Sequence, residues 1–247
     1  MTMRAGLLLL AALLLAGPVP ARADSDALWR IVHDRCVPDQ RQHADPAPCA
    51  VVSLAGGWAV LKDRRGLAQF LLIPTARVTG IEDPAVLAPG APNYFAAAWA
   101  ARGRTEALLP HPVPRDALSL AINSPTGRSQ NQLHIHVDCL RAEVRAALAR
   151  EAAAIGPDWA KLPGGLLGHP YLARRIDGVD LMANPFRLLA DWPGVGADGL
   201  RPWTLAVAGM KGGFVLLADR ANPGTGDRAE SEELQDHACA LAQGKAD

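Results

Sequence analysis

Gln132-Leu133-His134-Ile135-His136-Val137-Asp138-Cys139 alternates polar and apolar residues without a break. In an extended strand successive side chains point to opposite faces. Gln132, His134, His136 and Asp138 therefore share one face, while Leu133, Ile135, Val137 and Cys139 bury the other. Neighbours on one face of a strand lie roughly 6.5–7 Å apart, so His134 and His136 can flank a single phosphorus atom. The strand is expected over residues 132–140. Ahead of it, Gly127, Arg128 and Ser129 form a turn whose backbone N–H groups are expected to face an anion.

A neutral imidazole is a good nucleophile near pH 7, and a phosphorylated histidine is labile enough for water to resolve. Beside an anion-binding turn, that chemistry suits phosphoryl or nucleotidyl transfer. Two other readings stay open. His134 and His136 with Asp138 or His237 have the donor types to hold Zn²⁺, and a polar strand face can carry histidines without chemistry.

Working outward, residues 118–122 read as a strand preceding the histidine strand. Residues 58–63 and 69–74 read as a hairpin around Arg64-Arg65-Gly66, and Pro74 closes its second strand. Residues 204–208 and 214–218 read as a second hairpin around Lys211-Gly212-Gly213. Helices are expected over residues 26–36 with Ser25 as cap, 93–109 with Asn93 as cap, 142–155, and from Ser231 onward. Glu232 and Glu233 would sit in the first turn of that last helix, where acids suit the dipole. Residues 37–57 and 162–168 read as loop. No linker breaks residues 60–220. The two hairpins, each near a helix, are compatible with a degenerate internal duplication.

The chain has 247 residues, with 25 Lys+Arg against 25 Asp+Glu. That zero net charge removes the usual argument for a nucleic-acid partner. With 49% hydrophobic and 20% charged residues, it is a globular chain rather than a disordered one. Residues 1–23 have a basic start, an apolar run of about a dozen residues and the small-x-small site Ala21-Arg22-Ala23. This is the pattern of a secretory signal peptide or, if retained, a short membrane anchor. Residues 24–247 are expected to form one domain. Export makes the even cysteine set a disulfide set. The economical pairing is Cys36 with Cys49 and Cys139 with Cys239.

The histidine strand resembles that of the histidine-triad superfamily of nucleotide hydrolases and transferases, with Gln132 where the first histidine would stand. More specifically, the chain is similar to the bacterial CDP-diacylglycerol pyrophosphatase family. The blocks that carry the likeness are residues 60–63, 70–75 with Gly80-Ile81-Glu82, 118–124 through Gly127-Arg128 into His134-Ile135-His136, 162–166, 168–175, and Gln235-Asp236-His237 with Cys239. The resemblance implies an α+β fold: a histidine-triad-like antiparallel sheet with packed helices. It implies hydrolysis of CDP-diacylglycerol to CMP and phosphatidate, with His134 as nucleophile and His136 stabilising the phosphate.

Arg128, Ser129, Gln132 and Lys62 are then the expected phosphate-binding residues, and Asn123, His169, Tyr171 and Arg174 the candidate substrate contacts. No cofactor or metal is required by this scheme. The expected partner is the lipid substrate at a membrane surface, met by a monomer in the periplasm or anchored to the inner membrane. A periplasmic metal- or nucleotide-binding protein using His134 and His136 without turnover is the alternative. His237 is expected only to orient the disulfide or cap the last helix.

Overall fold

A computed structural model describes residues 24–243; the segment expected to be a signal peptide or short anchor, residues 1–23, lies outside the described residues. Nine strands pair antiparallel throughout into one sheet of order β1-β2-β3-β5-β4-β8-β9-β7-β6. They are β1 (Val51–Ser53), β2 (Trp58–Lys62), β3 (Phe70–Pro74), β4 (Leu118–Ile122), β5 (Ile135–Cys139), β6 (Ala160–Lys161), β7 (Leu172–Asp177), β8 (Trp203–Met210) and β9 (Gly213–Arg220). The fold is α+β, as expected. Both foreseen hairpins are present, and the second is longer than its apolar core implied.

Six short helices cover the sheet: α1 (Ala27–Ile31), α2 (Val37–His43), α3 (Tyr94–Ala101), α4 (Gly103–Glu106), α5 (Ala142–Glu151) and α6 (Pro185–Ala190). One face of the sheet packs Leu72, Leu120, Ile135 and Val207 against Phe95, Trp99, Phe186 and Leu189 of α3 and α6. The other face carries two smaller clusters. Leu61, Leu71 and Ile73 pack on Val32 and Val37 at the N-terminus, and Ala121, Ala206 and Leu217 pack under Val144 and Leu148 of α5. His136 is paired with Leu71 on one side and Ala121 on the other, so the histidine row lies between these clusters.

Several local expectations need correction. The histidine strand begins at Ile135, not Gln132, because the Leu133 N–H donates to the Val78 carbonyl at 2.6 Å and draws residues 132–134 off the ladder. Its polar face is buried rather than solvated: His134 is 8% exposed, His136 4% and Asp138 0%. Residues 37–43 are helical rather than loop, with Pro38 in the first turn of α2, where proline's missing N–H costs least. Asp26, not Ser25, precedes the first helix. Asn93 does cap α3, accepting from the Ala96 N–H at 3.1 Å. No helix forms from Ser231; only 3₁₀ turns occur at Ser231–Leu234 and Ala240–Ala242. Backbone groups there bond to the sheet instead, with Asp236 N–H on the Cys139 carbonyl and Arg141 N–H on the Leu234 carbonyl. Residues 229–239 thus form a strap across the sheet. Strands β1, β6 and β7 and helix α6 were not foreseen.

The register gives the internal duplication physical content. From the β4–β8 seam outward, one side reads β4, β5, β3, β2 and the other β8, β9, β7, β6. Ala121 pairs with Ala206 at the seam. Superposing these two residues, through the pairings His136–Ala121 and Leu217–Ala206, puts His136 on Leu217, Asp138 on Asp219 and Cys139 on Arg220. Continuing outward puts Phe70 on Leu172 and Lys62 on Lys161. The strand ends coincide: Leu118 with Trp203, Cys139 with Arg220, Phe70 with Leu172. Helices α3 and α6 each follow an asparagine cap, and Phe95 and Phe186, two residues past those caps, meet at 5.0 Å.

Both expected disulfides are formed, Cys36–Cys49 and Cys139–Cys239, closing loops of 13 and 100 residues. Loop-closure entropy makes the longer one worth about 4.7 kcal/mol and the shorter about 3 kcal/mol. Replacing Cys139 and Cys239 with Ser is expected to lower the urea midpoint more than replacing Cys36 and Cys49. Equal or reversed losses would show that the strap does not depend on its covalent tie.

Candidate active site

His134 and His136 open into a cavity of about 650 Å³. The Nδ1 of His134 lies 2.7 Å from the Gln132 carbonyl oxygen. A carbonyl only accepts, so Nδ1 carries the proton and the Nε2 lone pair is left for chemistry. Burial holds His134 below the usual imidazole range, which keeps it neutral and nucleophilic at pH 7. The Gln132 amide donates to the Pro74 and Ala76 carbonyls at 3.0 and 2.8 Å. The residue expected to bind phosphate instead ties the histidine segment to the loop after β3, and it does not line the cavity.

His136 is the opposite tautomer. Gln69 Nε2 lies 2.8 Å from His136 Nδ1 and 3.4 Å from Glu232 Oε1. The carboxylate demands a donor, so the Gln69 nitrogen faces both and His136 Nδ1 accepts. His136 Nε2 then carries the proton; Glu232 Oε2 lies 3.4 Å away, but the N–H makes no hydrogen bond to it and stays unpartnered. Burial drives His136 down to about 3. The two rings stand edge to face, with centroids 4.9 Å apart.

Glu232 is the residue that the sequence reading missed. Burial alone would raise its carboxyl, but hydrogen bonds from His237, Gln69 and Asn123 and the nearby His136 hold it well below the usual carboxylate range. Asn123 grips it twice, donating to Oε2 at 3.1 Å and accepting from its backbone N–H at 3.1 Å. His237 is no helix cap. It bridges Asp138 Oδ2 at 2.8 Å and Glu232 Oε1 at 3.5 Å, and these carboxylates raise it to about 10. Glu232 and His237 therefore complete the site from a strap where a helix was expected.

The basic groups are arranged differently from expectation. The Gly127 and Arg128 N–H groups both donate to the Ser124 carbonyl at 3.1 Å, so the turn does not offer them to an anion. Arg128 is held by Glu82 in a two-pronged ion pair of 2.6 and 2.5 Å. A side chain at Gly80 would collide with that guanidinium. Lys62 bonds only carbonyl oxygens, those of Asp63 and Gly66, and no carboxylate offsets its charge among the described residues. Ser129, Asn123, Lys62 and Arg128 all line the cavity, together with Arg35, Arg64, Arg65 and Arg228. Leu28, Ile31, Pro48 and Leu61 give it one apolar wall. His169, Tyr171 and Arg174 do not line this cavity.

The charged form of His237 is favoured by the fold. Its contribution to stability is complete below 6.5, its ordinary value, and disappears as pH climbs through about 10. The melting-temperature gap between wild type and His237→Gln is thus expected to be widest below pH 6.5 and nearly closed at pH 10. A gap independent of pH would show that His237 acts by packing alone.

A family model described as CDP-diacylglycerol pyrophosphatase matches residues 23–243. A CDP-diacylglycerol pyrophosphatase of Yersinia pestis is 47% identical over 219 residues, covering 88% of this chain and 85% of the relative. With its histidine pair set in a basic cavity and this likeness spanning nearly its whole described length, the chain belongs to the CDP-diacylglycerol pyrophosphatase family of hydrolases.

Proposed function

We propose that the protein hydrolyses CDP-diacylglycerol to CMP and phosphatidate through a cytidylyl intermediate on His134. The observation that carries this is the Nδ1–H of His134 fixed on the Gln132 carbonyl, which leaves Nε2 as a neutral nucleophile at the cavity. Nε2 attacks the cytidine-side phosphorus, and the bond from that phosphorus to the bridging oxygen breaks. Phosphatidate leaves with the bonding pair, and His134 becomes a cytidylyl-imidazolium whose Nδ1–H stays on the carbonyl. Lys62, the Ser129 hydroxyl and His136 Nε2–H stabilise charge on the phosphate oxygens, where preorganised donors are most effective. Arg64 and Arg65 draw the diphosphate in. Arg128 adds its field, although Glu82 shares its charge.

Water then attacks the same phosphorus. Glu232 orients the water by accepting a hydrogen bond, the water's proton passes to solvent as the P–N bond breaks, and CMP departs from a regenerated neutral His134. Glu232 is the carboxylate available beside the reacting atoms, and the Gln69 and Asn123 amides hold it in place.

A cavity of about 650 Å³ is of headgroup size, so the acyl chains remain outside it, at a membrane surface. Among the described residues no helix is long and apolar enough to cross a membrane. Two disulfides suit an oxidising compartment such as the periplasm. The sheet supplies both of its halves from one chain, and its edges are strands of three and two residues. Such short edges discourage pairing with another copy, which supports a monomer.

The test is CMP release from detergent-dispersed CDP-diacylglycerol in EDTA. Release by wild type and a loss of roughly 10³-fold or more in His134→Ala are expected. Label from α-³²P substrate should appear on the protein after an alkaline quench and be lost in acid, as a phosphorus–nitrogen bond requires. Substantial turnover by His134→Ala, or release that depends on added zinc, overturns the mechanism. In Glu232→Gln, turnover should fall about 10²-fold while labelled protein accumulates. Because burial lowers His134, the acid limb of kcat/KM should lie below pH 6.5, and a limb above that value argues for another nucleophile.

A further inference from the structure

The second half of the sheet holds a polar cluster where the register places the counterpart of the active site. Asp219 occupies the position of Asp138, and Tyr171 that of Gln69. The histidines are gone: Val215 and Leu217 stand where His134 and His136 stand in the first half. In their place His169 enters from the loop before β7. Its Nδ1 lies 2.7 Å from Asp227 Oδ2 and 3.9 Å from Asp219 Oδ2, and its Nε2 lies 3.5 Å from Glu233 Oε2. Tyr171 donates to Glu233 at 2.9 Å.

Three carboxylates therefore surround one imidazole, and one oxygen of one of them is left without a donor. The Asp219 side chain is 2% exposed, and its Oδ2, the oxygen directed at His169, has no hydrogen-bond partner. A buried acceptor in that condition is rare and calls for an occupant. The carboxylates of Asp219 and Asp227 both face His169, so their charge must be met by a shared proton, a protonated His169 or a cation. The imidazole favours the cation. One ring nitrogen of His169 and one carboxylate oxygen each of Asp219 and Asp227 all lie within 4.8 Å of one another, and a mixed nitrogen–oxygen set of this kind suits Zn²⁺ with ligands at roughly 2.0–2.2 Å.

We propose that His169, Asp219 and Asp227 form a structural site for a divalent cation of the Zn²⁺ class. The ion displaces the proton of His169 Nδ1, and a water on the exposed side of the ring completes its four ligands. It joins three pieces of chain: the loop before β7, the end of β9, and the 222–227 turn that leads into the strap. Its role is to hold the 222–227 turn against the end of β9; Glu232 is held separately by Asn123, so the ion takes no part in the phosphorus chemistry and CMP release does not depend on it.

The experiment is calorimetric titration of the EDTA-stripped, desalted full chain with ZnCl₂, paired with thermal melts. A single equivalent is expected to bind wild type and to raise its melting temperature. His134→Ala should bind equally well. Asp219→Asn should lose binding, and so should His169→Gln, a partly exposed change that spares the core; CMP release by His169→Gln in EDTA verifies that it folds. No binding by wild type would mean that a proton, shared or on His169, meets that charge. Binding that survives both substitutions, or that vanishes in His134→Ala and so puts the ion on the active-site histidines, also overturns the proposal. Failure of CMP release with zinc binding intact would defeat the catalytic reading and leave this site standing.

Discussion

Burying a polar face obliges a protein to satisfy it, and here the obligation falls on one strand. His134, His136 and Asp138 lie under the strap with almost no access to solvent. Each buried polar group needs a partner or it costs more than its packing returns. Gln132, Gln69 and His237 supply those partners. Each one also does something chemical: it sets a tautomer, orients a ring or holds a proton. The same contacts that make the fold tolerable fix the protons and ring orientations of the histidine pair, so a change to one changes the other along residues 134–138.

The strap is what makes this possible. A helix from Ser231 would have satisfied its own backbone and turned Glu232 to solvent. Backbone bonds to Cys139 and Arg141 and the tie at Cys239 lay the segment flat across the strands instead. Ser231 reinforces it, donating to the Leu205 carbonyl and accepting none of the helix's usual contacts. A carboxylate 3.4 Å from His136 is thereby delivered by residues more than ninety positions away in sequence.

The histidine strand, both hairpins, β4 and the Asn93 cap were legible because each is a local pattern: alternation, an apolar run, or a side chain that caps its own helix. The pairing of all four cysteines was legible from loop economy. β7 was not, since Arg174 and Arg175 interrupt its apolar signal, and α6 is too short to show a period. Glu232 escaped because an acid near a serine reads as a helix start, and only tertiary bonds rule that out. Arg128 was seen, but its partner Glu82 lies in a different loop and nothing local joins them. The duplication was faint because its two halves retain positions rather than residues: Lys62 and Lys161 agree, while His136 and Leu217 do not.

The adjacency of Glu232 and Glu233 has its own consequence. One faces His136 and the other faces His169, so two polar clusters are served by neighbouring residues of a single extended segment. Such a segment can drift freely in side-chain identity at its exposed positions. It cannot change length. Insertion or deletion of one residue between Cys139's two fixed contacts on it, Asp236 and Cys239, and the Asn123 grip on Glu232 would move both acids out of place at once. Length variation among descendants of this chain should therefore collect in the hairpin tips and helix-flanking loops, with the strap held to a constant count.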